Sequence, residues 1–186
     1  MNSNFKRFDE NTRVKFPAII HYLRLGYNYQ SLKDAQIDFN TKIFVNRFKT
    51  AIEKINNIEL TNEEVFSLID EIHSLMKFND LGKELYKRLT STEYTIKLID
   101  FEDITNNDFA VVGELPFSIK ENTEEGSFRP DINILINGIP LAFLEVKHPN
   151  NSGGIQVEFE RMINKRLKND DYKKYFNLIQ ITAFSN

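Results

Sequence analysis

The sequence predicts a mixed α/β fold, with a helical first half and then a sheet of short strands that carries further helices. Three observations predict it. Apolar residues recur at a helical period through the first ninety positions. After Ser91 they gather into short runs rich in β-branched and aromatic residues. Asn137-Gly138 then stands between two such runs, a strong hairpin signal.

Each element has its own local reason. Pro17 suits the first turn of a helix, where its missing N–H costs nothing; Ile19, Ile20, Tyr22 and Leu23 supply the stripe, and Gly26 suits a left-handed stop. A second helix is expected over 41–55, with Ile43, Phe44, Phe48, Ala51, Ile52 and Ile55 near a 3.6-residue period. Thr61-Asn-Glu-Glu64 has the capping-box pattern and opens a third helix striped by Val65, Leu68, Ile69, Ile72, Leu75 and Met76. A shorter fourth carries Leu81, Leu85, Tyr86 and Leu89. Strands are expected over 94–101, 109–117, 129–136 and 141–147, a helix over 153–168 and a last strand over 177–184.

The 186 residues, 41% hydrophobic and 27% charged, suit one domain, with 1–90 mainly helical and 91–186 the sheet core. No repeat or linker divides them. The chain stops directly after an apolar strand, so the expectation is a piece of a longer protein. Cysteine is absent, which excludes disulfides, thiol nucleophiles and cysteine zinc sites. No run approaches the ~20 apolar residues of a membrane span, and the polar N-terminus lacks a signal-peptide core; a cytoplasmic protein without a membrane partner is expected. Net charge is −3, so any nucleic-acid contact must come from a local patch.

The chemistry concentrates in Arg129-Pro-Asp131-Ile-Asn-Ile-Leu-Ile136 and Leu141-Ala-Phe-Leu-Glu145-Val-Lys147. Two acids and a lysine lie on strands whose neighbours are apolar, a costly placement unless something offsets it. A two-residue turn at Asn137-Gly138 would set Asp131 against Leu144. A three-residue loop or a bulge would set Asp131 against Glu145 on one face, and Pro140 favours that irregularity because it cannot donate to a ladder. Adjacent Asp131 and Glu145 would make an oxygen site for Mg²⁺, with the backbone carbonyl of Val146 as a third ligand. Lys147, one pleat on, could orient or deprotonate a water and offset charge on a phosphate. These parts suffice for metal-assisted phosphodiester hydrolysis.

Other candidates surround this hairpin. Arg161, Lys165 and Lys168 lie along one face of the following helix, within a basic segment that also holds Arg166, Lys173 and Lys174; such a strip either holds DNA phosphates without reading sequence or is a solvated surface. His148 could take part in proton transfer or be a loop residue. His21 and His73 fall within helical patterns as structural residues, and the sixteen phenylalanines follow element periods, as core residues do.

Asp131, Glu145 and Lys147 resemble the three positions of the PD-(D/E)xK nuclease motif. A wider stretch resembles the N-terminal domain of the R (restriction) subunit of type I restriction endonucleases. The matching text is Leu98-Ile-Asp-Phe101, Asn106-Asn-Asp-Phe-Ala-Val-Val112, Arg129-Pro-Asp-Ile132 and Asn137-Gly-Ile-Pro-Leu141 leading into Leu144-Glu-Val-Lys147. The likeness extends over roughly 12–186 and is clearest from Asn79 onward.

The resemblance implies a restriction-endonuclease-like sheet core and a Mg²⁺-dependent endonuclease acting on duplex DNA. It also implies partnership with modification (methyltransferase) and specificity subunits. ATP would act only through a translocase beyond this chain, which has no phosphate loop of its own. Two departures stand out. The family's Gln-x-x-x-Tyr element reduces here to Gln156, followed at the fourth place by Glu160, and Gln156 remains a candidate catalytic-site residue that positions the site or the DNA backbone. A helix-borne acid before the sheet is absent from the first helix; Glu84 is a candidate substitute, beside its reading as a solvated helix-face charge. Two alternatives remain: a stand-alone repair nuclease, and a non-catalytic docking module whose acids are structural.

Overall fold

A computed structural model describes residues 14–117, 128–147 and 153–185, and the side chains of all of these except Asp170 and Asp171. His148 lies outside the described residues. The helices are α1 (Phe16–Arg24), α2 (Val45–Asn56), α3 (Asn62–Leu75), α4 (Lys83–Thr90), α5 (Gly154–Arg161) and α6 (Asp170–Leu178). The strands are β1 (Asn28–Tyr29), β2 (Phe109–Gly113), β3 (Ile132–Ile136), β4 (Ile139–Val146) and β5 (Ile181–Ser185). They form one sheet in the order β1-β2-β3-β4-β5, parallel at its two outer pairings and antiparallel at the inner two. The expected α/β architecture is present.

Local chemistry accounts for much of this. The capping box is made in full: Thr61 Oγ1 accepts from the Glu64 N–H at 3.2 Å, and Glu64 accepts from the Thr61 N–H at 2.8 Å. Alternation along β2, β3 and β4 divides the core. Val111, Ile132 and Val146 pack with Ile19 of α1 on one face. On the other, Phe143 meets Tyr175 and Phe176 of α6, with Phe128 and Met162. A further core joins α2, α3 and α4 through Phe48, Ile52, Ile69, Ile72 and Leu85 and reaches Ile139 and Leu141 of β4.

The segment 94–101 is not a strand. Its backbone bonds to side chains instead of a neighbouring strand. Asn56 donates to the Lys97 carbonyl at 2.9 Å and accepts the Lys97 N–H at 2.8 Å. Asn137 donates to the Leu98 carbonyl at 2.9 Å, and Asn107 accepts the Asp100 N–H at 2.9 Å. Leu98 and Ile99 are buried all the same, so the apolar signal was real while its backbone pairing was not. The last strand is also shorter than expected, because α6 runs to Leu178 and β5 starts only at Ile181. The expected helix over 153–168 is α5 continued by a π-helical turn, Met162–Arg166.

Candidate active site

The hairpin register decides which residues meet. Asn137 and Gly138 have φ of 51° and 78°, both left-handed, as a two-residue type I′ turn requires. Ile136 pairs with Ile139 and Leu135 with Pro140, but the register then shifts, and Ile134 pairs with Ala142. Leu141 is the extra residue of a β-bulge. Beyond it Asn133 faces Phe143 and Ile132 faces Leu144, so Asp131 comes opposite Glu145. The turn has two residues rather than three; the bulge alone sets the two acids on one face. Pro140 sits just before the irregularity.

The turn is held by a buried polar knot. Asn137, fully buried, donates to the Leu98 carbonyl and to Asn107 Oδ1 at 2.8 Å, and accepts the Asp108 N–H at 2.8 Å. Asp100 accepts from the Glu102 and Asp103 N–H groups and from the Asn106 side chain. Gly138 lies against α2: a Cβ there would come within 2.7 Å of the Phe48 N and 2.9 Å of the Phe44 O.

Around the acids, charge is paired throughout. Asp131 Oδ2 accepts the Val146 N–H at 3.0 Å, and Oδ1 lies 3.1 Å from Lys15 Nζ. Lys15 also reaches Glu114 at 2.6 Å. Glu145, 4% exposed, receives Arg166 Nη1 at 3.1 Å. The same nitrogen is 2.8 Å from Glu158 Oε1 on α5. Lys147 Nζ and Arg161 Nη1 approach Glu158 Oε2 at 4.0 and 3.4 Å.

Burial pushes Glu145 up to about 8; the shared hydrogen bond and charge of Asp131 add to this, and Arg166 opposes it. Burial also acts on Asp131. There the Val146 N–H, the bond with Glu145 and Lys15 outweigh it and hold the carboxyl below its ordinary value. The two carboxyls therefore share a proton that belongs mostly to Glu145. Burial, with the nearby Glu145 charge, pushes the Tyr175 hydroxyl well above its ordinary value; that hydroxyl donates to Asn133 Oδ1.

The family model described as "Type I restriction enzyme R protein N terminus" matches residues 7–186. The chain belongs to that family. A protein of Methanocaldococcus jannaschii named as a type I restriction enzyme MjaIXP endonuclease subunit is 30% identical over 209 residues, covering 100% of this chain and 19% of its own length. The type I restriction enzyme HindI endonuclease subunit of Haemophilus influenzae is 28% identical over 147 residues, covering 67% of the chain and 14% of the relative. A Staphylococcus aureus subunit, SauCOLORF180P, is 25% identical and covers 88% of the chain and 17% of itself. The chain thus spans about a fifth or less of the length of these relatives.

In this R protein N-terminal domain, Asp131, Glu145 and Lys147 lie together at one end of β3 and β4. Gln156 does not join them: it is exposed, and its amide donates to Glu160 at 3.0 Å. The α5 residue at the acids is Glu158, two positions on. Glu84 pairs with Lys87 on α4, and the described structure gives it no contact with Asp131 or Glu145. Arg161, Lys165 and Lys168 are all exposed. The π-helical turn, however, breaks the single α-helical face that would have aligned them. Sequence reading missed Lys15, Glu158 and Arg166 as members of the cluster. Glu158 and Arg166 carried one weak signal, charge at helical spacing after the Glu-x-Lys strand. Lys15 carried none, being more than a hundred residues from Asp131. The Asn107, Asn137 and Asp100 text of the resemblance holds the hairpin and does not touch the acids.

No group of three or more His, Cys, Asp or Glu side chains is placed to hold a metal among the described residues. The two adjacent carboxylates still suit Mg²⁺, which is commonly bound through one or two carboxylates with water and phosphate supplying the rest. No helix among the described residues is long and apolar enough to cross a membrane.

Proposed function

We propose that this domain is the Mg²⁺-dependent nuclease of a type I restriction enzyme, hydrolysing phosphodiester bonds of duplex DNA. The supporting observation is the bulge-set apposition of Asp131 and Glu145, with Lys147 one pleat beyond Glu145. In this reading Asp131, Glu145 and the Val146 carbonyl would hold the cation, which would supply polarisation of a phosphoryl oxygen and acidification of a water. Asp131 is pre-oriented by the Val146 N–H. Glu145 would hold the cation as a carboxylate, so its proton would have to leave on binding. Lys147 orients the attacking water and offsets charge developing on the phosphate. Arg161, Lys165 and Lys168 hold the DNA backbone. A translocase driven by ATP lies elsewhere in the subunit and brings DNA to the site. Modification and specificity subunits choose the target, in the cytoplasm.

One observation favours a second reading, a docking module with structural acids: Asp131 and Glu145 already have cationic partners in Lys15 and Arg166. The deciding experiment is calorimetric titration of Mg²⁺ and Mn²⁺ into wild type, Asp131→Ala and Glu145→Ala, beside DNA cleavage by the assembled complex carrying each variant. Binding lost in both variants, with cleavage abolished, supports the nuclease. Wild-type cleavage by an Asp131→Ala complex would sink it and leave the docking module.

A further inference from the structure

We propose that Arg166 is a resident counter-cation of the acidic site, seated between Glu145 and Glu158, and that a divalent ion must displace it from Glu145 to bind. The inference rests on the reading of Asp131 and Glu145 as a cation site, and its test separates the two.

A single guanidinium nitrogen serves both carboxylates. Arg166 Nη1 is 3.1 Å from Glu145 Oε1, where it makes a hydrogen bond, and 2.8 Å from Glu158 Oε1. At Glu158 the approach is close but not a hydrogen bond: Oε1 is buried and none is made to it among the described residues. Positive charge thus already occupies Glu145, one of the two carboxylates that would hold the cation, and Arg166 makes a hydrogen bond to Glu145 and none to Glu158 Oε1.

The backbone is bent to place it there. Along a regular helix of 3.6 residues per turn, Met162 and Lys165 follow Glu158 on one face and Arg166 falls to the side. The π-helical turn over Met162–Arg166, closed by the Leu167 N–H on the Met162 carbonyl at 2.9 Å, widens the winding. Arg166 is thereby carried back toward Glu158, and Lys165 is left in solvent. Such single π turns inside helices are frequent at functional sites.

The guanidinium also has somewhere to go. It lies 4.1 Å over the Phe128 ring, and 18% of its side chain is exposed. Glu158 rides on the same helical segment, so Arg166 can leave Glu145 and stay paired. The planar guanidinium pairs with both carboxylates while its face lies on the Phe128 ring, a combination that a compact, strongly hydrated ammonium does not reproduce.

The test is calorimetric titration of Mn²⁺ at pH 8 into wild type, Arg166→Gln, Arg166→Lys and Asp131→Ala, each shown folded by its thermal transition. Arg166→Gln is expected to bind Mn²⁺ about tenfold more tightly than wild type, with Arg166→Lys between them. If Arg166→Gln does not fold, Arg166→Lys carries the comparison. Binding by Arg166→Gln where wild type shows none also supports the proposal. Equal or weaker binding in both Arg166 variants, with binding abolished in Asp131→Ala, overturns the counter-cation and leaves the cation site standing. Absence of binding in wild type and in both Arg166 variants overturns both.

Discussion

Asp131 and Val146 are joined across the hairpin by a hydrogen bond from the Val146 N–H to Asp131 Oδ2 at 3.0 Å. It fastens the first acid to the strand that carries the second, so their apposition does not depend on side-chain packing alone. Rigid strand ends are better platforms for such a pair than loops. The bond also leaves Asp131 Oδ1 facing Lys15.

The pH dependence of stability has a definite sign. Glu145 holds its proton up to about 8 in the folded chain and releases it near 4.5 when unfolded. Between these values the folded state binds more protons, so stability falls as pH rises. Denaturant midpoints measured without divalent metal from pH 5 to 9 should decline in wild type, and Glu145→Gln should flatten the decline. A rising midpoint in wild type would contradict the shared proton.

Lys15 supports Asp131 from outside the sheet. The depressed pKa of Asp131 contributes stability that is present above about 3.8 and lost as pH falls through its folded value. Lys15→Met should cost about 2 kcal/mol near neutral pH, the scale of a hydrogen bond to a charged group. The difference from wild type should shrink in acid, as pH falls through the folded value of Asp131. Urea unfolding over a pH series from 7 downward measures it; a loss that stays constant through the series would assign the effect to packing.

The turn is a sensitive backbone position. Gly138→Ala adds a Cβ at φ 78° that meets the backbone of α2. It should destabilise by about 2 to 4 kcal/mol through strain and overpacking together. Asn137→Ala strands the Leu98 carbonyl and the Asp108 N–H and should cost about 2 kcal/mol or more. Equilibrium unfolding reads both, and near-wild-type midpoints would deny the knot its structural role.

The exposed bases act on DNA if the nuclease reading holds. Replacing Arg161, Lys165 and Lys168 together by alanine should weaken duplex binding equally across sequences. The slope of log affinity against log salt should drop by about 2 to 3. Fluorescence anisotropy over a salt series would show it; an unchanged slope would place the DNA elsewhere.

Much of the fold was legible because its causes are local. The capping box at Thr61 and the left-handed Asn137-Gly138 turn follow from residue types a few positions apart, and the alternation in β3 follows from the pleat. The run at 94–101 misled for an equally physical reason. Burial and β-branched content mark a strand, but partners for backbone groups are chosen by the tertiary structure, and here they are Asn56, Asn107 and Asn137. Family membership, too, was readable from the Asn-Gly-x-Pro-Leu turn and its neighbours.

For the acids, residue order and type place Asp131 and Glu145 on two strands of one hairpin and require either a longer loop or a bulge to align them. Packing across the fold chose between these: Gly138 presses on the α2 backbone in a turn of two residues, and Leu141 takes up the extra position. It alone brought Lys15, Glu158 and Arg166 to the acids. Spacing along the chain carries information over a helical turn or a pleat; charge pairing in a buried site acts through space, at 3 Å, whatever the separation in sequence.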